Sequence, residues 1–125
     1  MFPAQRSRRL RKTAAIRDLV RETRLSSGDL ILPMFFDATI KEAAPIRTMP
    51  GVMRMPVSAA VSEAHLCKDL GIGGVILFGI PKTKDPEGRS GYDPDGPVPR
   101  AIAEMKSAVP DLLVIADVCN CEYTD

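Results

Sequence analysis

The chain has 125 residues, 45% apolar and 26% charged, enough for one core of ordinary domain size and too few for two large independent domains. That balance excludes wholesale disorder and a fibrous architecture, and no apolar run approaches the ~18 residues a membrane-spanning helix needs. The net charge of +1 conceals an asymmetry. Arg6, Arg8, Arg9, Arg11 and Lys12 put five of the 17 basic residues into the first twelve positions, leaving 12 basic against 16 acidic groups in the rest. A basic arm on a slightly acidic body suits nucleic acid, a membrane surface or an acidic patch on a partner subunit, or it is simply a solvated tail. No apolar stretch follows the arginines, so a secretory signal is not expected, and the serines of an organelle transit peptide are few. Three cysteines, Cys67, Cys119 and Cys121, lack the even count of a disulfide framework and point to a reducing, cytoplasmic compartment.

Thr13 stands where it caps a helix running to Leu25, with Ile16, Leu19 and Val20 on one face and Arg17, Arg21 and Arg24 on another. Leu30 to Phe36 is a short apolar run after Ser27-Gly28-Asp29 and predicts a buried strand, although Pro33 cannot donate to a sheet ladder. Residues 37 to 56 have no sustained period and carry Pro45, Pro50, Gly51 and Pro56, as an irregular connection does. A second helix is predicted from a Ser58 cap to Leu70, with Val61, Ala64 and Leu66 or Cys67 inward and Gly71 as its stop. Gly74 to Phe78 follows as a second buried strand. After a long polar loop from Pro81 to Gly96 comes a third helix, Val98 to Ala108, with Ala101, Ile102 and Met105 inward and Pro110 ending it. Leu112 to Ala116 is the third strand.

Strands beginning near residues 30, 74 and 112, separated by single amphipathic helices, form the pattern of βαβ units on a parallel sheet. Their continuous apolar runs agree, because parallel sheets are covered on both faces. Three parallel strands with open edges make a poor free-standing domain. The expected architecture is therefore α/β: a basic arm and helix over 1–26, then the first three strands of an eight-stranded TIM barrel over 27–125, a fold of roughly 250 residues when complete.

Sites in such folds lie beyond the carboxyl ends of the strands, which directs attention to Asp117, Cys119 and Cys121 just after the third strand. If extended backbone continued there, all three side chains would share one face. Two thiolates two residues apart can reach one soft cation such as zinc, though Cys-x-Cys also arises by chance, and a third protein ligand would still be missing. His65 and Cys67 fall inside a helix, away from any strand end, and read as structural. The 81–96 loop is long enough to act as a lid, a subunit contact or a binding loop. Its glycines form neither a GxxxxGK[ST] nor a GxGxxG pattern, so nucleotide binding has no support. Nucleic-acid binding is also poorly supported, since the arginines have no aromatic interleaving for base stacking.

In this order the segments resemble porphobilinogen synthase, also called 5-aminolevulinate dehydratase. The resemblance rests on Arg8-Arg9-Leu10-Arg11 with Ile16 to Thr23, Leu30 to Pro33, Pro45-Ile46-Arg47-Thr48-Met49-Pro50-Gly51-Val52, Tyr92-Asp93-Pro94-Asp95-Gly96, and Asp117-Val118-Cys119-Asn120-Cys121-Glu122-Tyr123-Thr124. The last is the most specific, and looks like the start of the family's cysteine-rich zinc segment, which continues into a His-Gly-rich stretch with a third cysteine. The resemblance implies a TIM barrel that condenses two 5-aminolevulinate molecules to porphobilinogen with loss of water, in tetrapyrrole and heme biosynthesis. It implies that Asp117 is the active-site aspartate and that Cys119 and Cys121 are two of three zinc thiolates. A magnesium site elsewhere in the family is left open. The family's two Schiff-base lysines lie on later strands, so the 125 residues alone are expected to be inactive. A homo-octamer in which the arm embraces a neighbouring barrel is implied, with no nucleic-acid or membrane partner. Phe36-Asp37-Ala38 and Pro99 depart from the family pattern, which has valine and glutamate after the first strand and glutamine after the PDG loop. The alternative to an enzyme portion is a non-catalytic metal-binding or assembly fragment of the same family.

Overall fold

The computed structural model describes residue 4 and residues 8–125. Arg6 of the basic cluster lies outside the described residues. Five strands form one mixed sheet: β1 (Ile31–Asp37), β2 (Ala44–Pro45), β3 (Met53–Met55), β4 (Gly74–Ile80) and β5 (Val114–Ala116). Their order is β2-β3-β1-β4-β5. β1 runs parallel to β3 and to β4, and β4 runs parallel to β5; only β2 is antiparallel, to β3. The register sets Met34 opposite Leu77, Phe35 opposite Phe78, and Leu77 opposite Ala116. The three long apolar runs thus lie side by side in chain order, as the βαβ pattern predicts.

β2 and β3 correct the expectation of an irregular 37–56 connection. Strands of two and three residues are too short to display an alternation, and Pro45 masks the first of them. Their position follows from backbone bonding: Ile46 N–H donates to the Val52 carbonyl at 3.0 Å, closing a turn through Gly51, whose φ of 83° suits glycine.

Two helices, α2 (Ala60–Asp69) and α3 (Pro97–Ala108), pack together against one face of the sheet. Their small or unbranched inner residues, Ala60, Ala64, Cys67, Ala101 and Met105, meet Met34, Phe36, Val75 and Leu77 in a single buried core. Ile102 is partly buried, as its place in the period predicts, but Val61 and Leu66 are exposed. Ser58 does not cap α2. A 3-10 turn over Val57–Ala59 leads into that helix, and Gly71 ends it at φ 67°. On the opposite face of the sheet, Phe35 and Phe78 stack with ring centroids 5.2 Å apart.

The first helix, α1, covers only Ala14–Leu19. Thr13 caps it as expected, its Oγ1 accepting from Ile16 N–H at 3.2 Å. It stops six residues before Leu25 because no core receives it. Leu19 is 81% exposed and the helix has no buried residue, and a short helix without tertiary packing gains little from propagation. Arg24 instead donates to the Asp18 carbonyl at 3.1 Å. Among the described residues, no helix is long and apolar enough to cross a membrane.

Candidate functional site

β5 ends at Ala116, and a 3-10 turn spans Asn120–Glu122. The extended conformation that would line up residues 117, 119 and 121 is therefore absent. Asp117 still sits where a strand residue would, its N–H donating to the Leu77 carbonyl at 3.3 Å, and its side chain is half-buried. The turn instead carries both cysteines, Cys119 at its start and Cys121 within it, and the Cys121 thiol is pushed up chiefly by the neighbouring Cys119 side chain, with burial adding less. Both cysteines are free and exposed. Among the described residues, no group of three or more His, Cys, Asp or Glu side chains could hold a metal ion. The two thiols supply part of the sulfur-rich tetrahedral set that zinc prefers, and they fit that cation as far as they go.

The residues beside the pair hold it in place. Glu122 Oε2 accepts from Gly79 N–H at 3.2 Å. Burial, and then the charge of Asp117, push the Glu122 carboxyl up, against the lowering effects of the Gly79 N–H and the Lys84 ammonium. Lys84 Nζ donates to the Cys121 carbonyl at 3.3 Å, and Asp85 N–H to the Tyr123 carbonyl at 3.2 Å. Tyr123 is buried, and its phenol is pushed up to about 12, first by burial and then by the charges of Glu122 and Asp117. Its ring packs against Gly91, where an added Cβ would come within 3.0 Å, and its hydroxyl reaches the face of Gly79. The 81–96 loop is thus bonded to the cysteine segment. Sequence reasoning passed over Glu122, Tyr123 and Lys84; the available signal was an aromatic residue following Cys-x-Cys and a glycine-rich loop able to receive it.

A separate cleft of about 390 Å³ opens at the carboxyl ends of β1 and β4, lined in part by Asp37, Lys41, Lys82, Asp93, Asp95 and Arg100. Asp117, Cys119 and Cys121 do not line it. Asp37, the last residue of β1, is fully buried and is the only buried charged residue among those described. Its Oδ1 accepts from the Thr39 N–H at 2.8 Å and the Thr39 hydroxyl at 2.6 Å, and its Oδ2 from Arg54 Nη1 at 3.2 Å. A carboxylate closing an apolar strand was its sequence signal. His65 is exposed on α2 and Cys67 is buried in the core, in keeping with structural roles.

The family model described as Delta-aminolevulinic acid dehydratase matches residues 4–125. Curated relatives of that name include those of Methanothermus sociabilis, 46% identical over 99% of this chain, and Synechocystis, 46% identical over 100% of it. The Archaeoglobus fulgidus relative is 45% identical over 98% of the chain. The chain spans 38% of the length of each of these relatives. Among solved structures, the Toxoplasma gondii delta-aminolevulinic acid dehydratase (porphobilinogen synthase), in complex with the reaction product porphobilinogen, superposes with a TM-score of 0.86 at 35% identity. That match covers all of this chain and 36% of the other. The chain belongs to the delta-aminolevulinic acid dehydratase family.

Proposed function

We propose that this chain is the N-terminal part of a porphobilinogen synthase, an enzyme that condenses two molecules of 5-aminolevulinate to porphobilinogen with loss of water in tetrapyrrole biosynthesis. The observation that carries the reading is Asp117 at the carboxyl end of β5 with Cys119 and Cys121 on the turn directly after it, in a chain that the family model matches almost throughout. The parallel strands β1, β4 and β5 are read as the opening of a TIM barrel, whose remaining strands would continue from β5 and close on β1. The arm over 1–26 is read as an oligomer contact in a cytoplasmic homo-octamer.

Within this reading, Asp117 faces the site as a proton acceptor and donor for the amino and carbonyl groups of the substrate. Cys119 and Cys121 would hold zinc, which when bound supplies Lewis-acid polarisation of a substrate carbonyl. Burial and the charge of Asp117 push the Glu122 carboxyl up, and Lys84 on the neighbouring loop acts against that shift. The Schiff-base lysines and the third thiolate belong to later segments, so catalysis requires more than these 125 residues.

The test is a pyrrole assay on the chain and on a longer product read through beyond Asp125 in the source nucleic acid. Porphobilinogen formation by the longer product, lost on Asp117→Ala, is expected. A longer product that contains two strand-end lysines and bound zinc yet forms no pyrrole would overturn the reading. The open outer edge of β5 favours the second reading, an assembly fragment that joins full-length subunits, and co-purification with them in an octamer would support it.

A further inference from the structure

The carboxyl end of β4 outruns its neighbour. Val75, Leu77 and Gly79 turn their backbone groups toward β5: Val75 N–H donates to the Leu113 carbonyl at 2.9 Å, and the Leu77 carbonyl accepts from Asp117 N–H. Gly79 N–H is the next donor on that side, and β5 has already ended. An unpaired N–H beneath a packed segment would be costly. The Glu122 carboxylate takes the place of the missing strand carbonyl, so a side chain closes the last rung of the ladder. Because Glu122 is also the last residue of the 3-10 turn, that bond anchors the turn to β4.

A second anchor is independent of the first. Tyr123 follows the turn, its N–H bonded to the Asn120 carbonyl at 2.9 Å. Its ring is seated on Gly91, and its hydroxyl approaches the face of Gly79, where an added Cβ would stand 2.5 Å away. The thiols lie on a turn clamped at its carboxyl end by a carboxylate and a ring. The distance between two exposed thiols two residues apart is set by the backbone between them, so anchoring the turn fixes their relative placement.

We propose that Glu122 is a positioning residue for the thiol pair: its bond to Gly79 N–H, assisted by Tyr123 on Gly91, fixes the turn that carries Cys119 and Cys121 so that both can bind one thiophilic centre. The identity of that centre rests on the dehydratase reading; the anchoring of the turn does not. Residues that orient metal ligands in this way characteristically alter metal affinity by about 10–100-fold when removed.

Phenylarsine oxide tests convergence without any metal. Two thiols lose their protons as two As–S bonds form, the arsenic oxygen leaves as water, and arsenic stays trivalent. The arsenical is titrated into the full chain alongside zinc, the latter in competition with a chromophoric chelator. Glu122→Ala should weaken both by about tenfold or more and abolish hydrogen-exchange protection at Gly79 N–H. Glu122→Gln keeps an acceptor oxygen and should stay within about threefold of the parent. Gly91→Ala, which displaces the Tyr123 ring, should weaken the arsenical in the same direction. Val109→Ala, a core change remote from the turn, controls for loss of stability and should leave both affinities unchanged.

The proposal is overturned if the parent chain takes up no arsenical at Cys119 and Cys121, if Glu122→Ala binds as the parent does, if Val109→Ala weakens binding equally, or if Glu122→Gln is as damaging as Glu122→Ala. A parent that binds the arsenical but no zinc, with the Glu122 effects intact, refutes the metal reading and leaves positioning standing. Zinc bound with equal affinity by parent and Glu122→Ala does the reverse.

Discussion

Removing the guanidinium of Arg54 isolates the one buried charge among the described residues. Asp37 is fully buried, and in Arg54→Ala it would keep only its two bonds from Thr39, both to Oδ1, leaving Oδ2 without a partner. Breaking a fully buried ion pair costs about 3–5 kcal/mol, and losing one charge-assisted hydrogen bond about 1.5–3 kcal/mol. Two features place this pair at the lower end. The Arg54 side chain is 42% exposed, and its contact is a single bond of 3.2 Å rather than a bidentate fork, so water already screens part of the attraction. We expect a loss of about 2 kcal/mol, or roughly 6–10 °C in melting temperature for a chain of this size. Asp37→Ala leaves the half-exposed Arg54 and the exposed Thr39 to water, and should cost about 0.5–1.5 kcal/mol. Urea denaturation of both single variants and the double variant gives the coupling, expected near ~1.5 kcal/mol. A coupling indistinguishable from zero, or an Arg54→Ala loss under about 0.5 kcal/mol, would refute the view that Arg54 neutralises the end of β1 rather than merely lying beside it.

Met105 is fully buried between α3 and the sheet, and Met105→Ala should cost about 2–5 kcal/mol by urea denaturation; a loss below ~1 kcal/mol would show that α3 can collapse onto the sheet without it. The Cys67 thiol is pushed above its ordinary value of 9.0 by burial and then by Glu63, so above pH 9 the unfolded chain releases this proton while the folded chain retains it. The unfolded state then binds fewer protons, and the contribution, complete below pH 9, is lost as pH rises through the folded value. The stability gap between the parent and Cys67→Ala should therefore narrow with rising alkaline pH in urea midpoints, and a constant gap would contradict the burial argument.

The longer elements were legible. β1 and β4 announced themselves as continuous apolar runs and α3 by its helical period, and a parallel sheet follows from strands separated by helices. β2 and β3 were not, since Ala44–Pro45 and Met53–Met55 contain too few residues for any period to register and exist through pairing with each other and with β1. The far half of the first helix failed for the opposite reason: its period is sound to Val20, but nothing in a local pattern tells whether a core will be there to receive Leu19. At the site, Asp117, Cys119 and Cys121 could be named from residue type and position after a strand. Their arrangement could not, because the turn over Asn120–Glu122 depends on Gly79 and Gly91, some thirty to forty residues earlier. Long-range closure of this kind leaves its trace only as glycines whose purpose is invisible until the partner ring is in place. Asp37 was visible as a departure from a family pattern, but its burial with Thr39 and Arg54 required the register of β1 against β3.

The two borders of the sheet are chemically unlike. At one, β2 is two residues long and ends in Pro45, which has no N–H to offer; at the other, β5 presents a run of Val114, Ile115 and Ala116 with no strand beyond it and the exposed side chains of Leu113 and Val118 on either flank. Blunt edges resist recruitment and bare ones invite it. Among the described residues a second stretch is also bare, Ile31–Met34 of β1, because β3 pairs β1 only at Phe35 and Phe36; the sheet thus offers recruitment at both ends of its long parallel part, and β2 blunts only the corner it covers.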